Sequence, residues 1–244
     1  MLKNVFFVMM LILMPSAAQA TVSLEQLKTA LLAEDQTELP QLLENADDIN
    51  ARDENGETLV LFAIKKHRSR RKLQMLINAG ADINAPSSES GMTPLVYLTL
   101  TAEGVQKFME RKLAADSKSY STVEKQIFEA KLRERAAKEM IYATKMIKFL
   151  IDNGVNLNQN TPQGTALMLA SKSEWNKAII DTLLQGGADV NQVDRNGRSA
   201  LFYAAAFGGN DVVVQLLAAD ADTEIKDHDG KTYMEIEAKD MTKD

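Results

Sequence analysis

The chain contains no cysteine and few aromatic residues, which limits both its chemistry and the composition of its core. Without cysteine there is no disulfide framework and no lipidated cysteine. Aromatic residues make up 6% of the 244 residues, apolar residues 45% and charged residues 25%. These proportions are typical of a globular protein whose core consists mainly of Leu, Ile, Val and Ala.

Positive charge is also scarce. The 28 basic residues are outnumbered by 34 acidic ones, which gives a net charge of −6. A general nucleic-acid-binding protein needs a basic face to displace counterions from phosphates, so the composition disfavours nucleic acid as a partner. One basic run, "KKHRSRRK" at 65–72, is predicted to be a solvated turn rather than a surface for anionic lipid or an acidic partner.

The sequence lacks the motifs of common catalytic sites. It has no GxSxG, P-loop, GxGxxG or HExxH pattern, and its histidines are His67 and His228. The stretch "DHDG" at 227–230 resembles part of a calcium loop, but Ile225 and Ile236 would then occupy ligand positions that need oxygen. A turn explains this stretch better. We therefore predict a non-enzymatic protein with no catalytic, cofactor-binding or metal site.

A long apolar run occurs only at the N-terminus. Lys3 precedes apolar residues 5–14, Pro15 breaks the run, and Ala18-Gln19-Ala20 has the small-x-small pattern of a cleavage site. The run is too short to span a bilayer comfortably, which favours a cleaved secretory signal over a membrane anchor. We expect cleavage after Ala20 and no membrane insertion of the mature chain. The compact signal favours a periplasmic location in a Gram-negative bacterium, with secretion as the alternative.

The rest of the chain repeats a short phrase. Phrases such as "NAGADIN" end on polar residues at intervals of 34, 74, 33 and 33, namely Asn50, Asn84, Asn158, Asn191 and Glu224. A glycine follows each of them, at intervals of 35, 73, 33 and 33, namely Gly56, Gly91, Gly164, Gly197 and Gly230. Two independent markers with one period indicate a solenoid of stacked units.

Local signals predict a helix pair in each unit. Hydroxyl residues stand at expected N-caps, with Pro94 at a first helical position, and these are Thr58, Thr93, Ser199 and Thr232. Glycines follow the second helices as left-handed C-caps, namely Gly80, Gly154 and Gly187. The stretches "DENG" (53–56), "DRNG" (194–197) and "DHDG" (227–230) have turn composition and are predicted to link successive helix pairs.

These motifs resemble the ankyrin repeat. Its first-helix motif is similar to "GETLVLFA" (56–63), "GMTPLVYL" (91–98), "GRSALFYA" (197–204) and "GKTYMEIE" (230–237), with a shortened form in "GTALMLA" (164–170). Its closing motif is similar to "LINAGADIN" (76–84), "LIDNGVNLN" (150–158) and "LLQGGADVN" (183–191). The resemblance implies an all-α solenoid of stacked helix pairs with short hairpin fingers. The expected units are an N-terminal cap (21–49), repeats 50–83, 84–157, 158–190 and 191–223, and a C-terminal cap (224–240).

The second repeat carries an insertion at about 101–140. Apolar residues spaced by three and four favour helices, namely Val123, Ile127, Ala130, Ala137 and Ile141. We expect both helices of this repeat to extend outward as an antiparallel arm with its tip near Asp116–Ser121. The arm either contacts a partner or packs on itself, and the second alternative is favoured. Trp175 is expected to pack at the edge of a second helix.

The resemblance also implies a binding surface. Ankyrin arrays bind proteins through a concave face made of finger tips and the exposed side of the first helices. The matching positions are Glu54, Asn55, Glu57, Lys65, Lys66, Arg195, Asn196, Arg198, Phe207, His228, Asp229 and Lys231. We expect these positions to be exposed and the protein to be monomeric. The predicted function is that of an adaptor or an immunity-like inhibitor, with an exported effector acting on host proteins as the alternative.

Overall fold

The computed structural model describes residues 21–35, 37–66, 69–101, 104, 111 and 122–236. Across these residues the chain forms helices joined by short loops, with isolated β-bridges and no strand. The predicted all-α solenoid is confirmed. Within the same residues, no helix combines the length and apolarity required to cross a membrane.

The array begins with the predicted N-terminal helix pair. Helix α1 spans Leu24–Leu32 and α2 spans Leu39–Glu44. A capping box starts α1, because Ser23 Oγ accepts from the Gln26 backbone N–H at 3.4 Å and Gln26 Oε1 accepts from the Ser23 N–H at 2.8 Å. Both helices bury leucines toward the next repeat, namely Leu27, Leu31, Leu39 and Leu43.

Each following repeat contributes a first and a second helix. The first helices are α3 (Leu59–Lys66), α5 (94–101), α7 (Ala166–Ala170) and α9 (Ala200–Tyr203). The second helices are α4 (Arg70–Asn78), α6 (Thr122–Asp152), α8 (Lys177–Gln185) and α10 (Asn210–Leu217). First helices contact first helices, as α1 and α3 do, and second helices contact second helices, as α6 and α8 do. One apolar core therefore runs along the array from Val22 to Ala221.

The recurring asparagines join one repeat to the next. The side-chain oxygen of each asparagine accepts a hydrogen bond of 2.7–2.8 Å from a backbone N–H in the next repeat. The donor lies two residues before the next recurring asparagine or, in the last repeat, before Glu224. The bonds are Asn50 from Asp82, Asn84 from Asn156, Asn158 from Asp189, and Asn191 from Asp222. The loop that donates this N–H is also closed by a local bond. In one such loop, Asp189 Oδ1 accepts from the Asn191 N–H at 2.9 Å. We call this set of bonds between repeats the asparagine relay. It explains why the sequence repeats the phrase.

Two of the four predicted N-caps form. Thr58 Oγ1 accepts from the Leu61 N–H at 3.4 Å, and Thr93 Oγ1 accepts from the Val96 N–H at 3.2 Å. The prediction is wrong for Ser199, whose hydroxyl makes no cap bond. The Phe202 N–H, which a cap would bind, donates instead to the Ser199 carbonyl at 3.1 Å. Thr232 precedes a turn rather than a described helix, and its hydroxyl donates to Glu235 at 2.9 Å.

The predicted left-handed C-caps are confirmed. Gly80, Gly154 and Gly187 have φ values of 91°, 80° and 92°. In the fourth repeat, Asp220 takes the same conformation with φ of 62°, and it is the one non-glycine residue with positive φ among the described residues. A side chain in this region strains the backbone.

The insertion lengthens a second helix, as predicted. Helix α6 has 31 residues, and Ala143, Ile147 and Leu150 near its C-terminal end are buried in the core. We call residues 122–142 the arm. The expected tip at 116–121 lies outside the described residues, as does most of the first half of the insertion.

The regularly spaced apolar residues that predicted a helix in the arm lie on its exposed side. Val123, Ile127 and Ile141 are 64%, 52% and 54% exposed, and Ala130 and Ala137 are exposed as well. The more buried side of α6 passes through Phe128, Ala136, Met140, Ala143 and Ile147. The helix carries apolar residues on nearly opposite sides, and spacing alone does not tell which side faces the protein.

We predict that Asp220→Gly stabilises the protein. Glycine adopts a positive φ without steric cost, so the free energy of unfolding should rise by about 1 kcal/mol. Gly187→Ala is the matched reverse change and should lower it by a similar amount. Urea denaturation of both variants checks this. If the Asp220→Gly variant is no more stable than the wild type, the positive φ of Asp220 does not strain the backbone.

Candidate protein-binding surface

Each predicted turn is built around an aspartate. Asp53 Oδ1 accepts from the backbone N–H groups of Asn55 and Glu57, both at 2.9 Å. Equivalent pairs of bonds reach Asp194 at 2.8 and 2.9 Å and Asp227 at 3.0 and 3.0 Å. These carboxylates close the fingers, which confirms the turn interpretation of "DENG", "DRNG" and "DHDG".

An ion pair ties the first finger to the N-terminal cap. Lys28 Nζ lies 3.1 Å from Asp53 Oδ2 and 2.9 Å from Glu25 Oε1. Its hydrogen bonds, first to Glu25 and then to Asp53, raise the pKa of Lys28 although desolvation opposes them. Desolvation also acts to raise the pKa of Asp53, but the hydrogen bonds from the Glu57 N–H and Lys28 outweigh it, and this pKa is lowered. Asp53 therefore stays ionised as the anchor of its turn.

Neighbouring fingers are joined to one another. The Ser88 N–H donates to the Gly56 carbonyl at 2.9 Å, and the His228 N–H donates to the Asn196 carbonyl at 2.9 Å. Between them, Gln163 Nε2 donates to the Ser90 carbonyl at 2.8 Å. Asn160 Nδ2 donates to the Val193 carbonyl at 3.1 Å. The finger tips thus form one connected edge along the array.

The structure brings most of the predicted tip residues to this edge. Those whose side chains are exposed are Glu54, Asn55, Arg195, His228 and Asp229. Those that are partly covered are Glu57, Asn196 and Lys231. Both signs of charge occur along the edge, and its backbone is held by the turn and finger bonds. A rigid surface of mixed charge is suited to contact with another folded protein.

The first helices carry a row of lysine–aromatic contacts that the sequence reasoning missed. Lys65 Nζ pairs with Glu57 and lies 5.0 Å from the centre of the Tyr97 ring in the next repeat. Lys172 lies over Tyr203 at 4.9 Å, and Lys28 lies over Phe62 at 5.1 Å. The sequence does carry a signal for these contacts, because Lys65 and Lys172 occupy the same position in their repeats. Each follows its N-cap threonine by seven residues. Lys66 is exposed beyond Lys65.

Arg198 is not exposed, so its assignment to an open concave position is wrong. It is 6% exposed, and its Nε lies 3.6 Å from Oδ2 of Asp227, which is 5% exposed. The reason is the following finger, which packs on Gly197 so closely that a Cβ there would lie 3.2 Å from the Asp227 Cα. Arg198 therefore links two fingers.

Phe207 lies on the surface, as expected, with 41% of its side chain exposed. It belongs to a π-helical turn, Ala204–Gly208, at the end of α9. Gly208 follows it, and a Cβ there would lie 2.1 Å from the Ser171 carbonyl oxygen. Close backbone contact with the preceding repeat therefore fixes the turn that presents the ring. Trp175, expected to pack at an edge, is instead 50% exposed.

Part of the basic run has a structural role. Lys72 is 4% exposed, and its Nζ donates to the Leu31 and Ala33 carbonyls at 2.6 Å, which caps the C-terminal end of α1. Arg70 lies over the Phe149 ring at 5.2 Å. Residues 67 and 68 of the run lie outside the described residues.

We predict that two arginines of one finger differ sharply in their effect on stability. Arg198→Ala removes the buried cation beside Asp227 and should lower the free energy of unfolding by about 2–3 kcal/mol. Arg195→Ala truncates an exposed side chain and should change it by about 0.5 kcal/mol or less. Denaturant titration measures both values. Equal effects would show that Arg198 does not link the fingers.

The comparisons with known proteins agree with this architecture. The family model for ankyrin repeats matches residues 134–227 in three copies. No curated protein sequence matches the chain. A solved ankyrin repeat domain from Acinetobacter baumannii is 25% identical with a TM-score of 0.58, and the match covers 85% of this chain and 87% of that one. A chain from the complex of the predatory endopeptidase Bd0816 of Bdellovibrio bacteriovorus with the immunity protein Bd3460 is 20% identical with a TM-score of 0.55, covering 89% and 92%. The asparagine relay, the finger turns and these matches show that the array has the ankyrin-repeat fold and that residues 134–227 are ankyrin repeats.

Proposed function

We propose that the chain is a periplasmic, non-catalytic inhibitor of immunity type, which binds one protein partner through its finger tips and first helices. The observation that carries this proposal is the connected finger edge with its exposed polar side chains. Ankyrin repeats are protein-interaction modules. The similarity in fold to a chain from an endopeptidase–immunity protein complex supports the inhibitor role among the roles open to such a module.

The chemistry of the edge favours a folded protein as the partner. The exposed tip residues include the basic Arg195 and the acidic Glu54 and Asp229, so the edge offers both signs of charge rather than a basic track for phosphates. Phe207 adds an exposed aromatic ring at the end of a first helix. Aromatic and arginine side chains are frequent anchors of protein interfaces. Together they provide polar specificity and one apolar anchor.

The N-terminal sequence supports the proposed location. Residues 1–20 have the charge, apolar run and cleavage pattern of a secretory signal. In a Gram-negative host we expect the protein to be released by osmotic shock with Thr21 as its first residue. Retention of Met1 in the membrane fraction would contradict the periplasmic location.

An exported effector that binds host proteins is the second candidate. The secretory signal disfavours it unless a second export step carries the array beyond the periplasm. The two candidates differ in where the partner is found. A partner encoded by the producing bacterium supports the inhibitor, whereas a host protein supports the effector.

Tagged protein beginning at Thr21 tests the binding surface. A partner captured from periplasmic extract is identified and purified, and its Kd is measured by calorimetry. Arg195→Ala and Phe207→Ala should each weaken binding by about 1–3 kcal/mol, which is roughly 5–150-fold, because each removes an interface anchor. The matched control is Val214→Ala on α10, a 64% exposed side chain away from the finger edge.

The alternative site is the insertion. Arg111→Ala places a change within it, at an exposed helical position. Lys118, the other candidate position for such a change, lies outside the described residues. If Arg111→Ala abolishes binding while Arg195→Ala and Phe207→Ala do not, the insertion rather than the finger edge recognises the partner.

A further inference from the structure

The exposed side of the arm has the spacing of a coiled-coil seam. Its residues occur at intervals of four, three, four, three and four, namely Val123, Ile127, Ala130, Glu134, Ala137 and Ile141. Alternating steps of three and four are the a and d positions of a heptad repeat. All six side chains are exposed. The seam is therefore a helix-pairing surface with no partner among the described residues.

We propose that this seam pairs with the seam of a second copy of the chain, with the two arms antiparallel. The seam is symmetric about residue 132, so antiparallel pairing sets Val123 against Ile141, Ile127 against Ala137 and Ala130 against Glu134. A two-fold axis then generates one self-complementary interface. Large side chains meet large ones at the two ends, and isoleucine meets alanine between the ends and the centre.

The position of Glu134 selects the antiparallel arrangement. Parallel arms would place Glu134 directly opposite Glu134 of the second copy, and like charges in one seam layer repel each other. Antiparallel arms place it opposite Ala130, beside Lys131 of the second copy. Within its own helix Glu134 already pairs with Lys138 at 2.7 Å. The carboxylate therefore gains a second cation instead of a second anion.

Charges beside the seam also fit this arrangement. Glu124 and Lys138 occupy equivalent flanking positions, and antiparallel pairing brings Glu124 of one copy near Lys138 of the other. The axis brings Lys131 of the two copies near each other, and each of these lysines lies beside a Glu134. Opposite charges therefore meet near the ends of the seam, and near its centre each Glu134 offsets part of the repulsion between the two copies of Lys131.

The arm is long enough to keep the two arrays apart. The seam from Val123 to Ile141 covers 18 helical steps, or about 27 Å. Helix α6 enters the core at Ala143, immediately after the seam. Antiparallel arms therefore place the two arrays at opposite ends of the pair, with both finger edges free. This proposal differs from the expectation of a monomer: it implies a weak dimer, since the interface is short.

Sedimentation equilibrium of the chain from Thr21 to Asp244 tests the pairing. Between about 10 µM and about 1 mM, the average mass should rise from that of one chain toward that of two, as expected for a small interface. Ile127→Glu should keep the mass of one chain throughout, and Val214→Glu, at an equally exposed position on α10, should behave as the wild type. A monomeric wild type, or an Ile127→Glu variant that pairs normally, would overturn the proposal.

Engineered cysteines test the direction of pairing, since the chain has no cysteine of its own. A mixture of Val123→Cys and Ile141→Cys should form a disulfide-linked pair on mild oxidation, whereas each variant alone should not. Linkage of Val123→Cys to itself would show parallel arms and overturn the antiparallel proposal.

Two further measurements separate this proposal from its alternatives. Phosphatidylglycerol vesicles provide a lipid probe: if the wild type stays monomeric and binds them, and Ile127→Glu does not bind, the seam is a lipid surface and the proposal is overturned. Phe207→Ala should leave the dimer unchanged. Loss of partner binding without loss of the dimer, or the reverse, then shows which of the two surfaces has been wrongly assigned.

Discussion

One hydrogen bond repeated between repeats holds the array in alignment. Asn50, Asn84, Asn158 and Asn191 each accept the backbone N–H of the following loop at 2.7–2.8 Å. An array of helix pairs buries its apolar faces only if successive pairs stay in one alignment, and a fixed bond at one edge enforces this. The relay ends at Glu224, where a glutamate takes the place of the recurring asparagine.

The relay also explains how the array tolerates an insertion. Asn84 reaches the N–H of Asn156, 72 residues further along, at 2.7 Å. Helix α6 enters the core at Ala143, between these two positions, so the bond joins the two repeats despite the inserted residues. The finger edge therefore continues past the arm, and the arm is free to present its own surface. A binding edge and a pairing seam can then act independently on one chain.

Much of this fold could be predicted from the repeat period, because residues at the same position in successive repeats have the same structural role. Thr58 and Thr93, the C-cap glycines and the finger aspartates have the predicted roles. The predictions of exposure or burial fail where a neighbouring part of the protein determines whether a residue is covered. Arg198 has the phase of an exposed position, yet the next finger covers it and pairs it with Asp227. The seam of the arm has the period of a packed helix, yet a different side of α6 faces the protein. Spacing shows which residues share a side of a helix, whereas burial depends on what lies against that side.

Hydrogen exchange of the backbone N–H groups that donate to the relay asparagines tests the relay most directly. In the wild type, the backbone N–H of Asp189 should exchange slowly, because Asn158 accepts its hydrogen bond at 2.8 Å. In Asn158→Ala it should lose that protection, and the free energy of unfolding should fall by about 1–2 kcal/mol as the N–H loses its acceptor. Asn55→Ala, at an exposed asparagine outside the relay, should leave Asp189 protected. Unchanged exchange and stability in Asn158→Ala would contradict the view that this bond aligns the repeats.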